Sequence, residues 1–301
     1  AKGMTLKAAA AGLDLGGGKA VIIGDPKRLK SEELLRAYGR FVDSLGGRYI
    51  TAEDVGTFRE DLDIVRRETR WATGVSKLLG GSGDPSPVTA YGLFSGLKAA
   101  VQAGLGGKPF DQLHVTVQGV GKVGYGLVKH LVEAGSRVTV ADVDVDAVAR
   151  VVKEFGVETA EPDKAHAVDC DVFAPCALGG VIRDDTLPEL KCRVVAGAAN
   201  NQLELPEHGD ALHEAGILYA PDFVINAGGL INVADELIGY DRDRAMKKVE
   251  GIYRTLREVF RRSKTEGISP ARAAEMMAAE RIEKVSRVRL LWVPRRNDGR
   301  R

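Results

Sequence analysis

Cysteine is scarce in this chain, and no sign of charge is in excess. The 301 residues hold three thiols, Cys170, Cys176 and Cys192, too few and too oddly spaced for a disulfide framework or a zinc knuckle. They stand in or beside apolar runs and read as small buried thiols in a reducing, cytoplasmic setting. The five histidines are scattered without ligand spacing, so no metal site is expected. The 43 basic and 42 acidic side chains nearly cancel, which leaves no general pull toward nucleic acid or an anionic membrane. Only the tail is locally basic, and Arg295, Arg296, Arg300 and Arg301 read as a solvated terminus rather than a binding patch. No apolar run approaches the roughly 18 residues of a membrane span, and no signal peptide, internal repeat or low-complexity tract is visible. The chain opens on Ala1, in mid-pattern, which reads as a fragment or a processed chain.

What is present fits a soluble globular protein of two domains: 301 residues, 44% hydrophobic and 28% charged. Residues 19–23 read as a short buried strand. Ser31, with Glu32 and Glu33 behind it, caps a helix running to about residue 45. Gly46-Gly47 stops it, residues 48–51 read as the next strand, and a helix covers about 60–70. The stretch GGSGDPSP at 80–87 is the strongest punctuation, with five of eight positions Gly or Pro, and marks a domain boundary. A helix at 88–103 follows. Then come strand 113–118, helix 121–134, strand 137–141 and helix 145–155, with further short apolar runs at 171–174, 193–196 and 217–219. From Ala227 onward the pattern is helical. Alternation of this kind predicts an α/β fold with a parallel, doubly wound sheet.

Two lysines near the start draw the chemistry. Lys7 and Lys19 lie twelve residues apart, and Lys19 follows Gly16-Gly17-Gly18. Glycines let backbone and ligand approach closely, and an amine held there can lose water and drop its pKa toward that of a working base. A flexible turn with a solvated lysine, or a phosphate loop, fits the same string.

Gly119-Val120-Gly121-Lys122-Val123-Gly124 is a G-x-G-x-x-G string that follows a predicted strand and opens a predicted helix, the context a dinucleotide site needs. The first glycine allows the tight turn, the second lets backbone approach a pyrophosphate, and the third lets helix and strand pack closely. The second strand ends at Asp142, whose carboxylate can accept hydrogen bonds from ribose hydroxyls and repels a 2′-phosphate. NAD is therefore expected rather than NADP.

Taken together, the segments MTLKAAAAGLDLGGGKAVIIGDP, GGRYITAEDVGT, DPSPVTAYG, APCALGG, GAANNQL and APDFVINAGGLINVADE resemble the glutamate/leucine/phenylalanine/valine family of amino acid dehydrogenases, closest to its leucine- and then valine-oxidising members. The resemblance covers nearly the whole chain. It implies reversible oxidative deamination: an L-amino acid, NAD and water give a 2-oxo acid, ammonium and NADH. By position it implies that Lys7 grips the substrate carboxylate, Lys19 is catalytic and Asp54 is its acidic partner in proton transfer. It places Asn226 near the substrate amino group, and Thr89, Ala177 and Asn200 at the cofactor with Gly119, Val120, Gly121, Val123, Gly124 and Asp142. Gly16, Ala52, Leu230 and Val233 match the side-chain pocket. They carry no charge, and a glutamate γ-carboxylate buried there would stay unpaired. Branched-chain substrates are expected, spread over leucine, isoleucine and valine because a methylene decides only about 1–3 kcal/mol, with phenylalanine or valine as the alternative preferred substrate. Like-charge repulsion from Lys7 would depress Lys19, while Lys7 itself stays charged.

The implied architecture is a Rossmann-type domain at 84–265, a smaller α/β substrate domain at 1–83 and C-terminal helices at 266–301 packing back on the latter, with the site in the cleft. The family forms homo-oligomers, often octamers. Its members usually carry about sixty more residues ahead of MTLK, and without them strand edges would be left unpaired. Plainer roles stand beside each assignment: Lys7 a solvated helix lysine, Asp54 a cap for the helix after Thr57, Asn226 a turn residue before Gly228-Gly229. A truncated NAD-binding protein without activity, or an assembly module, are the competing functions. Intact Lys7, Lys19 and Asp54 argue against decay.

Overall fold

The computed structural model describes residues 1–54 and 56–288, so the basic tail lies outside the described residues. Four helices open the chain: α1 (Lys2–Ala10), α2 (Pro26–Leu29), α3 (Glu32–Ser44) and α4 (Arg59–Arg66). Ser31 starts α3 by accepting a hydrogen bond from the Leu34 N–H, and Glu32 and Glu33 complement its dipole. Leu35, Gly39 and Val42 recur at helical spacing and are buried. They meet α4, where a Cβ on Gly39 would stand 2.9 Å from the Val65 carbonyl oxygen. The resulting core is small: Leu35, Leu62, Val65, Ala72 and Val75, edged by Tyr38 and Ile64.

Two strands expected in this region do not form. Residues 19–23 have no regular structure, with Val21 79% and Ile23 93% exposed. A strand needs a ladder partner and a covered face, and neither stands beside this run among the described residues. Residues 48–51 are reduced to one bridge, Thr51 to Ala72.

Helix α5 (Ser86–Gly104) leads into the sheet region: β1 (His114–Gln118), α6 (Lys122–Glu133), β2 (Arg137–Ala141), α7 (Val145–Phe155), β3 (Glu158–Thr159), β4 (Val172–Pro175), β5 (Val194–Val195), α8 (His208–Glu214) and β6 (Leu218–Tyr219). The six strands are all parallel and lie in the order β3-β2-β1-β4-β5-β6. That is the doubly wound dinucleotide-fold order, with its switch point between β1 and β4. Strand β3 escaped the sequence reading because it is two exposed polar residues, Glu158 and Thr159. The β-branched centres of β1 and β2 are buried from both faces, and α5 and α6 cross so closely that a Cβ on Gly126 would come within 2.6 Å of the Ala90 methyl.

The helical C-terminal region is divided into α9 (Asp222–Ile225), α10 (Gly228–Asp235), α11 (Arg242–Val249), α12 (Gly251–Glu266) and α13 (Pro270–Val288). Gly239 (φ +85°) and Gly267 (φ +66°) make the breaks before α11 and α13, adopting backbone that a side chain would strain. Helix α13 packs on α1 and α12, and Arg281 donates to the Gly12 carbonyl and the Asp14 carboxylate. Cys170 and Cys192 are buried, and Cys176 sits beside the glycine loop; burial pushes the Cys176 and Cys192 thiols up to about 12. Among the described residues no helix is long and apolar enough to cross a membrane.

Candidate active site

Parallel strands end together, so the loops that follow β1, β2, β4, β5 and β6 gather on one edge of the sheet. The glycine loop follows β1. Gly119 has φ +98°, and a Cβ there would press to 2.6 Å from the Ala177 backbone nitrogen. A Cβ on Gly124 would fall 1.9 Å from the Gly119 carbonyl oxygen, whereas one on Gly121 would meet nothing within 4 Å. The first and third glycines therefore serve packing, and the second borders open space. No side chain caps α6. Its first N–H groups are the unpaired donors, at the positive end of the dipole, that a pyrophosphate takes up.

Asp142 closes the loop from the end of β2. One carboxylate oxygen accepts from the Val120 N–H at 2.7 Å and the other from the Asp144 N–H at 2.9 Å. Each oxygen keeps a second lone pair, which suits a ribose hydroxyl. These residues fit a dinucleotide. Val123 lies in the first turn of α6, and Ala177 forms the wall behind Gly119. Thr89 lies in the first turn of α5, where it donates to the Pro85 carbonyl and lies against Gly228 and Gly229 at the start of α10.

Three other predicted residues converge on a neighbouring part of that edge. Lys7 reaches across from α1 and donates to Asn200 Oδ1 at 2.8 Å. Asn226, just after α9, donates to the same oxygen at 2.8 Å and to the Ala198 carbonyl at 3.0 Å. Both amide hydrogens of Asn226 are thus engaged, while its Oδ1 is buried without a partner. An orphaned acceptor is costly to bury, and a donor from a bound ligand would relieve it.

Lys19 and Asp54 form an ion pair, each side chain about half exposed. The capping role for Asp54 falls away, because α4 is capped through Asp61, which accepts from the Phe58 N–H at 2.8 Å. Lys7 is lowered to about 8, first by burial and further by the like charge of Lys19, while Asp222 opposes the shift. Lys19 stands in exposed coil.

The four expected pocket residues come from two settings. Leu230 and Val233 are one helical turn apart on α10, but Gly16 and Ala52 lie in exposed coil. Sequence reasoning also missed two acidic residues. Asp222 heads α9 and acts on Lys7. Glu236 accepts from Gly74 N–H, Ser82 N–H and Ser82 Oγ at 3.0, 2.8 and 2.5 Å, tying the linker before α5 to the end of α10. Partners more than 150 residues apart leave no local pattern to read.

Known proteins resemble the chain over most of its length. Residues 1–71 match the family model described as Glu/Leu/Phe/Val dehydrogenase, dimerisation domain, and residues 141–289 match Glutamate/Leucine/Phenylalanine/Valine dehydrogenase. A leucine dehydrogenase of Thermoactinomyces intermedius is 57% identical over 288 residues, covering 96% of this chain and 79% of that protein. A valine dehydrogenase of Streptomyces coelicolor is 52% identical over 285 residues, covering 94% and 78%. Among solved structures, L-tryptophan dehydrogenase from Nostoc punctiforme superposes with a TM-score of 0.83 at 46% identity, covering 95% of this chain and 82% of that one.

Proposed function

Because the chain belongs to the glutamate/leucine/phenylalanine/valine dehydrogenase family, and is an amino acid dehydrogenase, we propose that it oxidises a branched-chain L-amino acid to the 2-oxo acid and ammonium with NAD. The observation that carries this reading is the convergence of Lys7, Asn200 and Asn226 beside the glycine loop, with one amide oxygen left unpaired. Gly119, Gly121 and Gly124 with Asp142 would hold the dinucleotide, which when bound supplies the hydride acceptor. The protein's share is placement and proton handling.

Lys7 holds the substrate carboxylate as a cation. Asn226 accepts from the substrate amino group through its free Oδ1, which fixes the Cα–H direction. Lys19 and Asp54 exchange protons with the attacking water and the departing ammonia. Closing residues 1–83 over 84–265 expels bulk water and strengthens these charges. Leu230 and Val233 offer apolar contact and no cation, which favours leucine, valine and isoleucine over glutamate. The dimerisation-domain match over residues 1–71 supports a homo-oligomer.

The test is relative kcat/KM for L-leucine, L-valine, L-phenylalanine and L-glutamate, followed by nicotinamide absorbance with NAD and with NADP. Leucine or valine is expected to lead with NAD. A winning glutamate refutes the apolar pocket, and a winning phenylalanine moves the chain toward aromatic substrates, the class of the tryptophan enzyme it resembles.

A further inference from the structure

Asn200 was assigned above to the cofactor, yet its side chain faces the substrate lysine. Its Oδ1 accepts two donors, Lys7 Nζ and Asn226 Nδ2, each at 2.8 Å, which fills both lone pairs and fixes which end of the amide faces them. We propose that Asn200 is a positioning residue that holds the Lys7 ammonium in the substrate-free enzyme and surrenders it to the substrate carboxylate. The proposal rests on the reading that Lys7 receives that carboxylate.

A neutral acceptor suits this exchange. A carboxylate brings a full opposite charge to an ammonium, where an amide oxygen brings only a dipole. The incoming substrate therefore wins Lys7 from Asn200, and the Asn200–Asn226 bond remains behind to keep the Asn226 oxygen in place. An aspartate at 200 would keep the lysine instead. It would also leave α1 pinned to the sheet edge, since Lys7 is carried by α1 and Asn200 follows β5.

The charges facing Lys7 are few. Asp222 on α9 favours its ammonium form and Lys19 disfavours it. On α13, Arg281 is bonded to Asp14 and the Gly12 carbonyl. Substitution at 200 changes the hydrogen-bond acceptor of Lys7 and leaves these charges in place, so its sign is readable.

The experiment is competitive labelling of Lys7 with acetic anhydride on the full chain, read by peptide mass spectrometry from about pH 6 to pH 10, with and without 4-methylpentanoate as the carboxylate probe. Asn200→Asp is expected to move the Lys7 inflection to higher pH and to raise the probe concentration needed for protection at pH 7 by about tenfold or more. Asn200→Ala is expected to move the inflection to lower pH and to lower that concentration. Opposite signs are the signature of a competing partner. Equal shifts in one direction, or none, overturn the proposal, because a purely structural role would weaken both variants alike. Protection by 4-methylpentanoate that is lost in Lys7→Ala supports the carboxylate site itself. Failure of the wild type to oxidise leucine while the opposite shifts persist counts against the dehydrogenase reading and leaves the Asn200 role standing.

Discussion

Between β1 and β6 the side chains of Val115, Val117, Val140 and Val194 are fully buried under helices on both faces, whereas in the front segment Val21 and Ile23 stand in water and the α3–α4 core cluster has five buried members among the described residues. Both regions are apolar in sequence. They differ in what covers them. A parallel sheet satisfies its own backbone and is sealed by its crossover helices. The front segment is held through partners elsewhere: α13 against α1, Arg281 on Asp14, Glu236 on Gly74 and Ser82, and Lys7 on Asn200. The sheet region thus supplies partners that the segment carrying Lys7, Lys19 and Asp54 lacks within itself.

The sharpest way to separate the halves is through chemistry that only the front one supplies. Lys19→Ala should lower kcat by at least about a hundredfold while NADH affinity, measured by fluorescence titration, stays as in the wild type. Retained turnover would remove Lys19 from the catalytic role. The reverse experiment damages the nucleotide half. Gly124→Ala puts a methyl where the Gly119 carbonyl stands and should cost about tenfold or more in NADH affinity. An unchanged affinity would mean that the loop does not cradle the dinucleotide.

A third variant attacks the junction. Glu236→Ala strands three donors, Gly74 N–H, Ser82 N–H and Ser82 Oγ, and should destabilise the protein by about 1–3 kcal/mol in urea unfolding. Limited proteolysis should then cut first in residues 74–83 while NADH still binds. Loss of NADH binding in step with stability would show that the halves cannot be uncoupled. The smallest effect concerns Lys7. Its folded pKa lies below its unfolded one, so burying the cation costs stability in full below about pH 8, and the cost fades as pH climbs toward the ordinary lysine range near about 10.4. Lys7→Met should therefore raise the melting temperature at pH 7, by an amount that shrinks and disappears as pH approaches about 10. A gain that does not change with pH would show that packing, not the charge, is responsible.

How much of this could be read beforehand depends on the range of the interaction. The run from β1 through α6 to Asp142 was legible because each step is local: period-two apolar residues, a glycine triplet, then helical spacing and a carboxylate at the next strand end. The site residues of the front half came from family resemblance, and their geometry was not in the local pattern. Lys7 and Asn200 are 193 residues apart, so nothing near either names the other. The expected strand at residues 19–23 failed for the same reason: its β-branched run gives a propensity, while a ladder needs a neighbour.

The sequence by itself determined the strand–loop–helix unit, the glycines where only glycine fits, and the acidic stop at Asp142, because these follow from backbone sterics and side-chain periodicity within a few turns of chain. Only the tertiary structure decided which lysine is half-buried, that one asparagine oxygen serves both Lys7 and Asn226, and that Glu236 fastens the linker, because burial and hydrogen-bond partnership are properties of groups that the fold, and not the order of residues, brings together.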